Sequence, residues 1–221
     1  MTPWKTLATI ETAEGSLELR QRGAREFLIV IDGRVLMTSN DRRSEQGLAT
    51  LACAALTAAA PRVLIGGLGM AYTVRAALDV LPPTAEVVVA ELTPAVDAWC
   101  RGPLAPLTDG AVLDPRVDVV IGDVARVIAD APRGRYDAII LDLYEGPHAA
   151  TQRADDPFYG RGALARSHAA LAGGGVLAVW SEEADDAFAR RFTAAGFDVA
   201  IHRLGKTRTH VVYVGRRRDR R

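Results

Sequence analysis

A glycine-rich segment followed by an acidic residue is the first feature of this sequence that suits chemistry. Gly66, Gly67 and Gly69 follow a short apolar run and lead through Met70 into a helical pattern. Glycines allow a ligand close to the backbone, and a helix N-terminus offers free N–H groups. Glu91 follows about twenty residues later, where a carboxylate can accept both ribose hydroxyls of a nucleoside. The spacing predicts a nucleoside-binding loop; a tight structural turn and a helix-capping Glu91 are the alternatives.

A second acidic position follows another apolar run. Gly122 and Asp123 stand at its end, where Asp123 can accept a hydrogen bond from an adenine amino group. Leu92 and Val124, which directly follow the two acids, complete the predicted cofactor-binding set. A plain helix N-cap is the alternative role for Asp123.

A third acidic position predicts the reacting end of the site. Asp142 follows the apolar segment 138–141, and Tyr144 and Glu145 come directly after it. A carboxylate there can orient or deprotonate a nucleophile, and burial beside Glu145 would raise its pKa and suit it to act as a base. We predict Asp142, Glu145 and Tyr144 as catalytic, Asp142 also as cofactor-binding, and residues 143–156, which include His148, as a lid over the site.

Composition excludes several other classes. The chain has 221 residues and a formal net charge of zero, which favours neither nucleic acid nor a membrane surface as a partner. Cys53 and Cys100 show no metal-ligand spacing, so we expect free thiols and no metal. Neither a Walker loop nor a Ser-His-Asp order is present. With no apolar signal core at the N-terminus, a cytoplasmic protein is expected.

The elements that must position these residues fall into three predicted parts. Residues 1–40 alternate as a small antiparallel β unit of three strands, the third of which Asp32-Gly33 bends into a further hairpin. Residues 41–60 are a connection in which Ser44 caps a helix over residues 45–60. Residues 61–221 form the nucleoside-binding core.

The core is predicted to be α/β. Alternating strand and helix patterns indicate a doubly wound, mostly parallel sheet of seven strands, with ligands at the carboxyl ends. Residues 173–175, three glycines, are predicted to turn into a strand over residues 176–180. The last two strands leave no room for a crossover helix and must form an antiparallel hairpin, which is typical of methyltransferase-like sheets.

These motifs together resemble the spermidine synthase-like family, over nearly the whole chain. The matching segments are residues 31–35, Ser44-Glu45, the glycine loop, Glu91, Gly122-Asp123, residues 136–142 and residues 173–181. The resemblance implies Glu91 for the ribose, Asp123 for the adenine side and Asp142 near the reacting amine. It also implies a possible homodimer through the N-terminal β unit.

The sequence departs from the family where the donor's tail is recognised. The family carries an aspartate in the glycine loop, and Met70 stands at that position here. Its glutamine after the Asp-Gly pair is replaced by Leu36 or Met37, its Tyr-His-Glu by Arg43-Ser44-Glu45, and its Asp-Ser-Thr-Asp by residues 142–145. Two like charges about 4 Å apart cost a few kcal/mol at a partly buried site. Loss of the loop carboxylate therefore removes a barrier to the α-carboxylate of S-adenosylmethionine, which Arg42 or Arg43 would attract.

We therefore expect methyl transfer from S-adenosylmethionine to a small-molecule acceptor, an amine or other heteroatom nucleophile. The alternative is spermidine synthase-type aminopropyl transfer from decarboxylated S-adenosylmethionine, which the acidic residues Asp142, Glu145, Glu182 and Glu183 favour. An NAD-dependent oxidoreductase and a non-catalytic nucleoside-binding protein are further alternatives.

Overall fold

The structure is a computed structural model and describes residues 2–144, 146–148, 151, 153, 155–205 and 209–218. These residues form a four-stranded antiparallel sheet at the N-terminal end and a seven-stranded, mostly parallel sheet after it. Among them, no helix combines the length and the apolar character that crossing a membrane requires.

The N-terminal sheet is a meander in which each strand pairs with the next. Its strands are β1 (Lys5–Thr12), β2 (Gly15–Arg22), β3 (Glu26–Ile31) and β4 (Arg34–Thr38). The turn between β3 and β4 holds Asp32 and Gly33 at positive φ, 45° and 78°, which is the geometry of a tight hairpin. This turn divides the third predicted strand in two, so the predicted further hairpin is confirmed.

The connecting helix α1 (Arg43–Cys53) is shorter than the sequence suggested. Leu48, Ala49 and Ala52 bury its inner face, whereas residues 54–60 are mostly exposed. High alanine content does not extend the helix there, because a helix without a face to bury gains little stability. The prediction that Ser44 caps the helix was wrong: Ser44 lies inside the first turn, is buried, and donates its hydroxyl to Glu45.

The large sheet has the order β10-β11-β9-β8-β5-β6-β7. Strands β5 to β9 run parallel, and the terminal β10 and β11 form the predicted antiparallel hairpin. In chain order its elements are β5 (Arg62–Gly66), α2 (Tyr72–Val80), β6 (Glu86–Glu91), α3 (Pro94–Arg101), β7 (Val117–Ile121), α4 (Val124–Asp130), β8 (Tyr136–Leu141), α5 (Arg161–Ala170), β9 (Leu171–Ser181), α6 (Asp186–Ala194), β10 (Phe197–Leu204) and β11 (His210–Arg217). The predicted fold class is confirmed.

The prediction that residues 173–175 form a turn before the fifth strand was wrong. They lie within β9, which already begins at Leu171. Pairing with β8 jumps from Tyr136↔Leu171 to Ala138↔Val176, so β9 carries extra residues at this point. The glycines therefore form a bulge inside a strand rather than a turn before it, because Gly174 can adopt a φ of 69° without strain.

Two apolar clusters cover the two faces of the large sheet. One contains the inner faces of α1 and α2 together with residues of the N-terminal sheet such as Leu19 and Ile29. The other contains the aromatic side chains of Phe188, Phe192 and Phe197. Because the first cluster includes residues of the N-terminal sheet, the small sheet helps to cover the face of the large sheet on which α1 and α2 pack.

Candidate functional site

The strand order places the topological switch point between β5 and β8, because α2, which follows β5, and α5, which follows β8, belong to the apolar clusters on opposite faces of the sheet. In doubly wound sheets, ligands bind at the carboxyl ends of the strands at such a switch point. Gly66 ends β5 and Asp142 follows β8, and the Asp142 N–H donates to the Gly66 carbonyl at 2.9 Å. The predicted loop and the predicted catalytic acid are therefore neighbours.

Gly67 fits its position for two independent reasons. Its φ of 89° disfavours other residues, and a Cβ there would overlap the carbonyl oxygen of Asp142. Its N–H also donates to the Ala90 carbonyl at 2.9 Å, next to Glu91. The loop is thus held between the ends of β6 and β8, against both acidic residues.

The other two glycines of the loop, Gly66 and Gly69, have side chains of neighbouring elements packed close to their Cα atoms. A Cβ at Gly66 would come within 2.8 Å of Val124 Cγ2, and one at Gly69 within 2.9 Å of Met37 Sδ in β4. The Met70 side chain is fully buried in the core. The Met70 side chain therefore points into the core and Met37 lies beside the loop, and the cofactor-binding role of Met70 stays a prediction.

Glu91 ends β6 and is 8% exposed. Its Oε2 accepts the Leu68 N–H at 2.9 Å and its Oε1 accepts the Thr93 N–H at 2.8 Å. Burial raises the pKa of Glu91, and the N–H groups of Thr93, Leu68 and Leu92 oppose that rise. Each carboxylate oxygen offers two acceptor sites, so both oxygens can still accept a ribose hydroxyl.

The predicted adenine side lies at the neighbouring end of β7. Ile121 is paired with Glu91 and is 46% exposed, and Leu92 is 64% exposed. A Cβ on Gly122 would meet no atom within 4 Å, so the space beside it is open. Exposed apolar side chains beside open space suit the flat face of a base.

Asp123 and Val124 are placed by the start of α4. Asp123 caps this helix, since its Oδ1 accepts the Ala125 N–H at 2.8 Å. Among the described residues, no donor contacts the Asp123 Oδ2, which leaves this oxygen for a ligand. The Val124 side chain is buried against Gly66, and its predicted cofactor contact stays a prediction.

Asp142 has the most perturbed surroundings of the site. Burial raises its pKa to about 7, the nearby Glu45 carboxylate adds to the rise, and the Thr73 hydroxyl, which donates to Asp142 Oδ2, opposes it. A carboxyl group that titrates near neutral pH can act as a general base at physiological pH. Asp142 therefore has the properties that its predicted catalytic role requires.

The loop after Asp142 is attached to the end of β9. A Cβ on Gly146 would lie 2.5 Å from Ser181 Cα, and the Ser181 hydroxyl lies 3.3 Å from the Pro147 carbonyl oxygen. Tyr144 is 40% exposed, and the Arg34 guanidinium stacks 4.7 Å from its ring. Glu145 lies outside the described residues, as does part of the predicted lid. The anchoring at Gly146 means that the start of that segment is packed.

Sequence reasoning gave no role to two residues that contact or influence Asp142. Thr73 lies in the first turn of α2, and its hydroxyl reaches Asp142. Glu45 lies in the first turn of α1 and affects Asp142 through its charge. A usable signal for Glu45 is its spacing of three and four residues from Leu48 and Ala49, which are apolar and face the sheet.

Comparisons with known proteins agree with this architecture. No protein-family model matches the chain. A segment of 69 residues, 31% of the chain, is 42% identical to a spermine synthase of Arabidopsis thaliana, and the match spans 18% of the plant enzyme.

Three solved structures share the fold over almost the whole chain. Spermidine synthase from Thermotoga maritima matches with a TM-score of 0.78 at 17% identity, covering 96% of this chain and 72% of the other. A spermidine synthase in complex with the transition-state analogue AdoDATO gives 0.77 at 16% identity with the same coverage. A probable spermidine synthase from Corynebacterium glutamicum gives 0.66 at 20% identity, covering 95% and 79%. The chain has a spermidine synthase-like fold, so the resemblance found in the sequence is confirmed.

Proposed function

We propose that the protein is an aminopropyltransferase, which moves the aminopropyl group of decarboxylated S-adenosylmethionine to a small amine acceptor. The observation that carries the proposal is Asp142, a partly buried carboxylate at the switch point, whose pKa is raised by burial and by the charge of Glu45. The negative charges of these two acids favour cationic ligands such as an amine chain. The AdoDATO complex of a structural neighbour supports the same donor class.

The residues at the ends of β6 and β7 fit the nucleoside part of such a donor. Glu91 would accept the ribose hydroxyls, and its position is fixed beforehand by the N–H groups of Leu68 and Thr93. Leu92 and Ile121 would cover the base, and Asp123 would accept the adenine amino group. Because these groups are held in place before binding, little ordering is needed when the donor arrives.

Asp142 would prepare the acceptor. The bound donor supplies an electrophilic carbon next to its sulfonium. Asp142 in its carboxylate form takes one proton from the acceptor ammonium, and the freed nitrogen lone pair forms the new C–N bond as the C–S bond breaks. The bonding pair stays on sulfur, which leaves as a neutral thioether, and the positive charge passes to the product amine. The protein's part is to align the reactants, exclude water and hold the proton on Asp142.

Methyl transfer from S-adenosylmethionine is the second candidate, and two observations favour it. The loop residues 66–71 contain no acid to repel an α-carboxylate, and the Arg42 guanidinium lies 5.8 Å from the Tyr72 ring, directly after that loop. The comparisons nevertheless support aminopropyl transfer better than the methyl transfer expected from sequence.

The donor itself distinguishes the two reactions. The protein is incubated with each of the two sulfonium donors and a panel of aliphatic diamines, and the products are identified by mass spectrometry. We expect methylthioadenosine and an aminopropylated amine from the decarboxylated donor. S-adenosylhomocysteine formed only from the ordinary donor would establish methyl transfer instead. Binding of NAD by calorimetry, with no heat from either sulfonium donor, would reject both.

A further inference from the structure

Among the described residues, the carboxylate of Asp142 has one hydrogen-bond partner, which belongs to the helix that follows the glycine loop. This partner is Thr73, which lies in the first turn of α2, is 2% exposed, and donates its hydroxyl to Asp142 Oδ2. No donor in the described part of the chain contacts Asp142 Oδ1. The Thr73 hydroxyl therefore occupies one carboxylate oxygen and leaves the other for a ligand.

The hydroxyl of Thr73 is available for this contact because of where the residue stands in its helix. A threonine hydroxyl inside a helix can donate to the carbonyl four residues earlier, as that of Thr193 in α6 does to Ala189 at 3.0 Å. Four residues before Thr73 is Gly69, which lies in the loop, and Ala71 interrupts the helical path with a φ of 62°. Because α2 begins only one residue before Thr73, it offers the hydroxyl no carbonyl one turn earlier, and the hydroxyl donates to the end of β8 instead.

The same stretch of chain also fixes the main chain of Asp142. The Asp142 N–H donates to the Gly66 carbonyl at 2.9 Å, and a Cβ on Gly67 would overlap the Asp142 carbonyl oxygen. Thr73 follows this loop within a few residues, and the branch at its Cβ restricts its own χ1 angle in a helix. Asp142 is thus held both at its backbone and at one carboxylate oxygen.

We infer that Thr73 is a positioning residue for proton transfer, whose hydroxyl holds Asp142 Oδ2 so that Asp142 Oδ1 is presented to the acceptor amine. The inference rests on the proposed function for the proton that Oδ1 takes, whereas the hydrogen bond depends only on the folded chain. In this step Oδ1 gains the proton, and the amine nitrogen keeps the electron pair that forms the C–N bond. A carboxylate that is fixed beforehand needs no reorientation when the amine arrives, and aligned groups react faster.

The same hydrogen bond affects the pH at which Asp142 ionises. Burial raises the pKa of Asp142, the charge of Glu45 in the first turn of α1 adds to the rise, and the Thr73 hydroxyl opposes it. A donor to a carboxylate favours its charged form. Without the Thr73 hydroxyl, Asp142 should therefore stay protonated to a higher pH, and in that form it cannot act as a base.

Thr73→Val tests the hydrogen bond without any substrate, since it keeps the branched shape of the side chain and removes the hydroxyl. We expect the midpoint of the Asp142 titration, followed by carboxyl ¹³C NMR, to rise by about one pH unit. Thr73→Ser retains the hydroxyl and should keep the midpoint near that of wild type. Thr193→Val, the same change at an exposed position of α6, is the matched control. Thr73→Ala removes the same hydroxyl and serves if Thr73→Val does not fold.

Activity then tests the positioning. Well above the midpoint, where Asp142 is ionised in every variant, kcat should fall about 10-fold in Thr73→Val and recover in Thr73→Ser, while donor affinity measured by calorimetry stays unchanged. The acidic limb of the kcat/KM profile should move to higher pH in Thr73→Val by the same amount as the NMR midpoint. An unchanged midpoint in folded Thr73→Val, or a raised midpoint with full kcat at high pH, would overturn the inference. A raised midpoint in a protein that turns over neither sulfonium donor would support the hydrogen bond and reject the proposed function.

Discussion

Two carboxylates at the ends of parallel strands have acquired different properties from their hydrogen bonds. Glu91 receives N–H groups from Leu68 and Thr93, which stabilise its charged form. Asp142 receives one hydroxyl from Thr73, and the charge of Glu45 opposes its ionisation, so its charged form is less stabilised. At the scale of single residues, Glu91 is thus suited to hold a neutral hydroxyl ligand and Asp142 to exchange a proton.

Replacing Asp142 should separate chemistry from binding. Asp142→Asn keeps the side-chain volume and an acceptor for Thr73 but removes the base, so we expect a loss of about 10²- to 10⁴-fold in kcat. Donor affinity, measured by calorimetry, should change little. Asp118→Asn, at an exposed position of β7, is the charge-matched control. Loss of turnover and affinity together would mark Asp142 as a structural residue.

Replacing Glu91 should do the opposite. Glu91→Gln places an amide NH₂ against one of the two N–H groups that now donate to the carboxylate, and it weakens the acceptors for the ribose. We expect donor affinity to fall about 10- to 100-fold, the value of one hydrogen bond to a charged group. Glu86→Gln, at the exposed opposite end of the same strand, is the control. Equal affinities in the two variants would contradict the ribose assignment.

At the scale of elements, two glycines of the site differ in what limits them. Gly67 combines a positive φ with direct contact between its backbone and Asp142, so its loop conformation depends on the absence of a side chain. Gly122 has neither constraint, because open space lies beside it. A glycine of the second kind leaves space for a ligand, whereas one of the first kind is required by the fold.

Alanine at these two glycines should therefore give opposite results. Gly67→Ala is expected to lower the free energy of unfolding by about 1–3 kcal/mol through backbone strain and displacement of Asp142, as urea denaturation would measure. Gly122→Ala should leave stability within about 0.5 kcal/mol of wild type while it weakens donor binding. If Gly122→Ala bound the donor with normal affinity, the adenine base would not bind in the open space beside Gly122.

The elements that the sequence predicted best are those whose pattern depends on local contacts. The parallel strands, the final hairpin and the turn at Asp32 follow from apolar runs and turn residues. The end of α1 and the course of β9 were missed because each depends on distant contacts. The helix ends where its buried face ends, and the glycines of β9 form a bulge against β8.

At the scale of the whole molecule, the small sheet contacts the loops of the large one. Met37 packs against Gly69, Arg34 stacks on Tyr144, and the Tyr72 hydroxyl donates to the Ser39 carbonyl at 3.1 Å. These contacts join residues about thirty or more positions apart, so no local pattern could predict them. The same limit explains why the influence of Glu45 on Asp142, which is far from it in the chain, was not predicted from the sequence.

Global stability should record the cost of the buried acid. The pKa of Asp142 is raised to about 7 in the fold from about 3.9 when unfolded, so the folded state binds the extra proton between these values. Stability therefore falls as pH rises from about 4 to 7, and the full cost remains above pH 7.

Asp142→Asn removes that cost because its side chain cannot ionise. The rise of the Asp142 pKa by about three units corresponds to about 4 kcal/mol. Because water still reaches this partly buried group, we expect about half of that, so that at pH 8 the variant is more stable than wild type by about 2 kcal/mol. The difference should shrink toward zero near pH 4, as urea denaturation across this range would measure, with Asp118→Asn as the exposed control. A difference that is constant with pH would mean that Asp142 is charged in the fold throughout. Asp142→Asn should thus gain stability as it loses turnover. This combination is expected when a carboxylate that destabilises the fold is needed for catalysis.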